Sequence, residues 1–393
     1  MPERTDVPEL SLVQGGPVFQ LFCWMRLSDR DLNRPYRRAI FVAALAWIPL
    51  LILSIVDGRA HGNGIGIPFL DDISAHVRFL IALPALIIGD KFAQEMIGPR
   101  IREFLDRMVV RERDIPRFKA AIDSAHSMRD SILLEAGLMI VVYSVGLWVW
   151  SSQIASATSS WYAAPDGTKM NVALAGYWLV FVSLPIFQFL LVRWYLRIAI
   201  WLVFLLRVSR LDLRLIATHA DRLGGIGFLG EAAFGFAPLL FAQGALISAV
   251  TANGILYSGR HLTDLYLEIG AFVILLVASV LGPLCVFSPK MVIAKLQGLM
   301  KYGTLASKYV AGFDTKWIGG VNPQDETLLG TGDIQSLADL GTSYAVLHSM
   351  RPVPFDLNAL VWLLGVTLLP LVPLVFFTFS IEELFDKLWK ILI

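Results

Sequence analysis

The chain has 393 residues and a net charge of +1; 56% of its residues are hydrophobic and 17% charged. Soluble domains carry about 25% charged residues, so this composition excludes an ordinary soluble globule and places the chain in the membrane class. Near-neutral charge leaves no basic footprint for nucleic acid, and two isolated cysteines, Cys23 and Cys285, make neither a disulfide framework nor a metal spacing.

Residues 1–38 open as a polar tail. Within it, 18–27 carries Phe19, Leu21, Phe22, Trp24 and Met25, which predicts a helix lying flat at the membrane interface. Arg30, Arg34, Arg37 and Arg38 then precede span one, 40–56, which starts too late and runs too long for a cleaved signal peptide. A glycine-rich loop, 57–74, leads to a short second span, 79–89. It has His76 and Arg78 at one end and Asp90, Lys91 and Glu95 at the other, and Pro84 predicts a kink in its middle. Residues 100–130 are charged at helical spacing, with Ile101, Phe104, Leu105 and Met108 as the apolar side and a break expected near Pro116. Span three, 132–150, has Glu135 one turn inside its start and Trp148 and Trp150 where an aromatic belt falls. A polar loop, 151–171, turns at Pro165-Asp166-Gly167.

Span four, 172–192, continues into a long helix carrying Arg193, Arg197, Arg207, Arg210 and Arg214. Its apolar part, 177–206, is about 45 Å long at the helical rise, against a hydrocarbon core of about 30 Å. Either the helix leaves the membrane near Arg193, or it tilts and takes Arg193 and Arg197 inside. The turn-rich run 219–230 follows. Span five, 231–257, places Ala237, Gly244, Ser248 and Thr251 on one face, which lets helix backbones approach closely. Span six, 265–287, has Glu268 near its outer end and Pro283 and Pro289 near its inner end, and continues as an amphipathic helix towards Phe313. In 314–356, Asp333 is the expected N-cap of a helix presenting Ile334, Leu337, Leu340, Tyr344 and Leu347 on one side, ended by Pro352 and Pro354. Span seven, 357–379, contains Pro370 and Pro373, so it is either one helix or a re-entrant hairpin. An amphipathic tail, 381–393, closes the chain.

With the N-terminus inside, the inner segments hold 26 of the 33 Lys and Arg residues. The positive-inside rule then puts the N-terminus in the cytoplasm.

Two charge constellations stand out. Arg193 and Arg197 share a helix face, with Trp194, Tyr195 and Trp201 around them. They are either belt arginines snorkelling to headgroups or an intramembrane anion or counter-charge site. The apolar run 198–206 argues for the second, and Glu135 is then the expected partner, with Glu231 next. Asp90, Lys91, Gln94 and Glu95 share one arc of the second helix, with His76 on the same side; they are a surface ion pair or the lining of an ion path. The run Gly225-Ile-Gly227-Phe-Leu-Gly230 matches G-x-G-x-x-G, but it follows a helix rather than a strand, which argues against dinucleotide binding and for a tight turn. Its neighbours His219, Asp221 and Arg222 form either a gate or headgroup contact, or a hydrogen-bonded turn. No nucleophile signature or paired ligand spacing supports an enzyme, a cofactor or a metal site.

Arg193-Trp-Tyr-Leu-Arg197, His219-Ala-Asp221-Arg222-Leu-Gly-Gly-Ile-Gly-Phe-Leu-Gly230 and Gly330-Thr-Gly-Asp-Ile-Gln-Ser-Leu-Ala-Asp339-Leu carry a family likeness. From about residue 40 onward the chain resembles a group of uncharacterised bacterial polytopic membrane proteins, with Ala220 where proline would be expected. The resemblance implies a bacterial inner-membrane location and no activity.

The expected fold is all-α: a polytopic transmembrane bundle of about seven spans, with helices extended into a cytoplasmic helical layer. Four segments make it up: 1–38, cytoplasmic with an interfacial helix; 39–313, spans one to six with their extensions; 314–356, a cytoplasmic loop with an amphipathic helix; and 357–393, the seventh span and tail. The expected function is an oligomeric channel or transporter for a small ion, using Arg193, Arg197, Glu135, Glu231, Asp90, Lys91 and Glu95. The alternative is a membrane-embedded sensor or scaffold that binds a cytoplasmic protein through the helical layer and 314–356. Membrane lipid and copies of the chain itself are the other expected partners.

Overall fold

The computed structural model describes residues 8–25, 35–62, 66–155, 160–166, 169–319 and 331–377, and in it almost every apolar run is a helix. In chain order these are α1 (Pro17–Trp24), α2 (Pro35–Val56), α3 (Ile73–Asp106), α4 (Ile115–Arg129), α5 (Ile132–Ala155), α6 (Leu174–Ser209), α7 (Phe228–Ser258), α8 (Leu262–Ile318), α9 (Gly332–His348) and α10 (Leu357–Phe376). A short antiparallel hairpin, β1 (Ala163–Asp166) with β2 (Lys169–Val172), joins α5 to α6. The fold is an all-α helical bundle and a multi-pass membrane protein. Six of the helices are long and apolar enough to cross a membrane, or seven if α5 is counted with α4, from which it bends by 44°.

The spans are built as membrane helices are. On α2, Ala39, Val42, Ala43, Ala46 and Leu50 recur at three- and four-residue spacing and are buried, while Ile40, Ile48, Ile52 and Ile55 face outward. Close approach uses small residues on α7: a Cβ on Gly244 would lie 2.1 Å from the Thr367 carbonyl oxygen of α10. The proline-bearing spans α3 and α6 solve one problem in the same way. Each opens into a π-turn, Arg78–Ala82 and Leu179–Ser183, just before Pro84 and Pro185. The wider turn makes room for a proline ring that would otherwise strike the carbonyl four residues back. On α6 that carbonyl, of Phe181, accepts the Tyr143 hydroxyl of α5 at 3.3 Å. Span two is therefore longer than 79–89, and Pro84 lies about three turns into α3, just after its π-turn.

At the basic end, α3, α6 and α8 all continue past their apolar stretches, and α4 packs against the extension of α6. Phe104, Phe118, Phe204, Phe228 and Phe287 form an aromatic core there, with ring centroids 4.9–6.2 Å apart. Several boundaries differ from the sequence expectation. The break after α3 falls at 107–111, with Met108 at φ 54° and exposed, and Pro116 lies in the first turn of α4, where proline fits. Helix α6 stops at Ser209; Arg210 caps it, and Arg214 follows Leu213, which bridges to Val110. Thr331, not Asp333, caps α9, because the Asp333 carboxylate is engaged by Lys316 Nζ at 2.9 Å and Trp317 Nε1 at 3.0 Å. Span seven is one continuous helix through Phe376, tightening to 3-10 geometry at its prolines. The expected amphipathic tail, 381–393, lies outside the described residues.

Candidate functional site

Five charged side chains from four helices meet inside the bundle. Arg38 comes from the first turn of α2, Asp90 from α3, Glu135 from α5, and Arg193 and Arg197 from one face of α6. All are buried: their exposures are 2%, 7%, 5%, 7% and 4%, in that order. Gly89 lets the helices close at this level. A Cβ there would lie 2.4 Å from Pro238 of α7 and 3.0 Å from Trp194 of α6.

Asp90 is the hub. One carboxylate oxygen accepts from Arg38 Nη2 at 2.7 Å and the other from Arg197 Nη1 at 2.7 Å. Arg38 Nη2 also donates to the Ile87 carbonyl at 2.9 Å, and its guanidinium lies 5.4 Å from the centre of the Phe22 ring. The Arg197 guanidinium lies 4.8 Å from the Trp194 ring centre, and Trp194 in turn donates to the Leu86 carbonyl at 3.1 Å. Arg193 Nη2 stands 3.6 Å from Glu135 Oε1 and donates to the Gly15 carbonyl at 3.1 Å. Three guanidiniums thus face two carboxylates, and among the described residues Arg38 Nε and Arg197 Nε are buried without a hydrogen-bond partner. Among the described residues the cluster carries more positive than negative charge and two buried donors, which one small anion would offset.

A strap from the N-terminal segment covers the cluster. Leu10, Leu12 and Val13 are buried. Ser11 is fixed by three side chains of two helices, α3 and α4: its N–H donates to His126 Nε2 at 3.2 Å, its hydroxyl donates to Gln94 at 2.6 Å, and its carbonyl accepts from Arg129 at 2.7 Å. Gly15 and Gly16, at φ 148° and 83°, carry the strap past Asp130 and Glu135. A Cβ on Gly16 would lie 2.7 Å from the Glu135 carboxylate.

The cluster sits at one end of three largely apolar stretches. On α2, α3 and α6 the stretches that begin or end beside it, 39–56, 73–89 (apolar but for Ser74, His76 and Arg78 at its far end) and 174–192, are each about 26–28 Å long at the helical rise. That matches one hydrocarbon core of about 30 Å with the cluster at its edge. The further apolar run on α6 needs no lipid. Ile198, Ile200, Trp201, Phe204, Leu205 and Val208 are buried within the protein, with Phe204 against Phe118 of α4.

The structure joins some of the expected site residues and separates others. Arg193, Arg197, Glu135 and Asp90 come together. Glu231 does not join them; it is partly exposed and lies 3.5 Å from Arg100. Lys91 and Glu95 form a surface pair at 3.8 Å on a different side of α3 from Asp90, and such pairs contribute about 0.5 kcal/mol or less. His76 sits at the far end of α3, accepting from Trp47 Nε1 at 3.0 Å. Arg38, Gly15 and the strap were missed, because an arginine just before a span reads as a flanking charge. The only sequence signal for the strap is the short apolar patch around Leu10, Leu12 and Val13.

His219, Asp221 and Arg222 shape the connection from α6 to α7. The Asp221 carboxylate accepts from the N–H groups of Leu223 at 2.8 Å, Gly225 at 3.1 Å and Gly227 at 3.1 Å, with His219 Nδ1 2.9 Å away. Burial opposes ionisation of Asp221, but these donors outweigh it and hold the carboxyl below the usual carboxylate range. Gly224 and Gly225 take φ of 72° and 91°, as the turn requires, and Arg222 is exposed. The glycine run therefore spends two of its N–H groups on Asp221. No strand precedes it, so it has neither the context nor the free donors of a dinucleotide loop. Among the described residues no group of three His, Cys, Asp or Glu side chains could hold a metal ion. Compared with known proteins, the chain matches no family model, no curated protein and no solved structure.

Proposed function

We propose that this chain is an oligomeric channel or transporter for a small anion in a bacterial inner membrane, with its N-terminus in the cytoplasm. Arg38, Arg193 and Arg197 would form the anion site at the cytoplasmic edge of the hydrocarbon core, and the strap 10–16 would close it. One observation supports this: among the described residues three buried guanidiniums share two carboxylates, an excess of positive charge where burial makes it costly. Asp90 holds the site in shape, and Glu135 gives Arg193 a resting partner that an arriving anion would replace. The positive-inside distribution supports the orientation. Opening requires the strap to leave, because its Gly15 carbonyl occupies Arg193.

The test is chloride and nitrate flux in proteoliposomes. Arg193→Gln leaves both ion pairs of Asp90 intact, so the fold is expected to survive. Flux should fall by about tenfold, equivalent to roughly 1.4 kcal/mol of lost stabilisation along the path. Wild-type flux in a folded Arg193→Gln protein would remove the cluster from the path.

One observation favours a scaffold as the alternative. At the basic end, α8 and α9 pair closely at Gly298 and Leu347, yet Val292, Ile293, Leu296, Met300 and Ile334 remain exposed. Such a surface suits another copy of the chain or a protein partner. Deleting 332–348 should abolish crosslinked capture of that partner while leaving anion flux in place; the reverse outcome would favour transport alone.

A further inference from the structure

A second cleft, at the opposite end of the bundle from the arginine cluster, has the chemistry of a lipid-headgroup site. It lies between α7 and α8, has a volume of about 350 Å³, and is lined by Gln243, Thr251, Arg260, Leu265, Glu268 and Phe272, among others. Arg260 follows the left-handed Gly259 that ends α7; its backbone N–H bonds the Gly254 carbonyl at 3.3 Å and its side chain folds back over Gly254. Glu268 is the seventh residue of α8, about 9 Å along the helix from its start. It is exposed on a face shared with Phe272 and Leu275, which are also exposed.

That placement calls for a partner. A carboxylate facing hydrocarbon is costly and is normally paired or aimed at water. Glu268 and Arg260 line the same cleft, and among the described residues no ion pair joins them. The two opposite charges stay apart across one cavity, so a ligand carrying both an anionic and a cationic group could answer both. The remaining lining is mostly apolar, with Thr251 and Gln243 as its polar side chains. It extends inward from Gly254 to Gln243, about 16 Å along α7 at the helical rise, and Gln243 is held at the inner end by its bond to Tyr195 Oη at 2.7 Å. The exposed apolar flank of α8 opens the cleft sideways to lipid.

We propose that this cleft binds a phospholipid with a primary-amine zwitterionic headgroup, a phosphoethanolamine lipid, in the leaflet opposite the arginine cluster. Its phosphate meets Arg260, its ammonium meets Glu268, and one acyl chain runs along the cleft towards Phe272 and Gln243. A primary ammonium donates hydrogen bonds to Glu268, whereas a trimethylammonium headgroup cannot. The site is independent of the proposed anion path.

The experiment is native mass spectrometry of the full chain, exchanged into detergent with equal amounts of phosphatidylethanolamine, phosphatidylcholine and phosphatidylglycerol. Phosphatidylethanolamine should be retained preferentially, and Glu268→Gln and Arg260→Gln should each weaken its retention by about tenfold. Both residues are exposed, so folding is expected to survive, and circular dichroism checks that the variants keep the wild-type helix content. Equal retention of phosphatidylcholine, or undiminished phosphatidylethanolamine retention in folded Glu268→Gln, would overturn the proposal. Binding of water-soluble phosphoethanolamine with no lipid retained would overturn the lipid as the occupant.

Discussion

Asp90 accepts from two arginines at once, so its loss is the most damaging single change expected at the cluster. Asp90→Ala leaves Arg38 and Arg197 buried without a counter-charge and should cost about 3–5 kcal/mol of stability, read by thermal denaturation in detergent. Arg193→Gln, which gives up only the looser contact to Glu135 and one backbone bond, should cost less. At Asp221 the expected effect depends on pH. Its carboxyl is held below the usual range, so its contribution is complete above about pH 4 and is lost as pH falls through the lowered value. Asp221→Ala strands the donors of Leu223, Gly225 and Gly227 and should cost about 1–3 kcal/mol at neutral pH. That difference from wild type should shrink in acid; a pH-independent difference would argue against a carboxylate cap. Sequence alone named Asp90, Glu135, Arg193 and Arg197 as site residues and offered Glu135 to the arginines, where Arg193 meets it, but it did not pair Asp90 with Arg197 and Arg38. Whether an arginine at a span's edge snorkels outward, as Arg37 does in its exposed position, or turns inward, as Arg38 does, depends on what the next helix presents. That partner, Asp90, is 52 positions away in the chain.

At the scale of elements, the spans were legible because hydrocarbon demands long apolar helices, and sequence records that demand directly. The small-residue face of α7 was legible for the same reason, and it can be tested. Gly244→Ala drives a methyl group into the Thr367 carbonyl, where only backbone movement can give way, and should destabilise the protein by about 1–3 kcal/mol. Wild-type melting of Gly244→Ala would show that α7 and α10 do not pack as closely as described. What sequence did not show is how the prolines are absorbed. Pro84 predicts a kink, and both it and Pro185 sit behind a π-turn that makes room for the ring. The length of α6 also misled: 198–206 is apolar because α4 covers it, and a charged helix such as α4 does not advertise its buried side, Phe118, Ala121, Ile122 and Ala125, over so short a stretch.

For the whole molecule, the strap and the cluster belong together. Residues 10–16 bury apolar side chains against α3 and α4 and place a carbonyl on Arg193, so the strap both covers the positive charge and partly satisfies it. If the cluster serves an anion path, the strap sets the closed state, and its removal should open the path without unfolding the bundle. The decisive measurement is the ion selectivity of proteoliposomes carrying the chain without residues 1–16. The account predicts chloride flux above that of the full chain, little sodium flux, and loss of the added chloride flux when Arg193→Gln is combined with the truncation. A folded, truncated protein that conducts neither ion, or that passes sodium as readily as chloride, would contradict it.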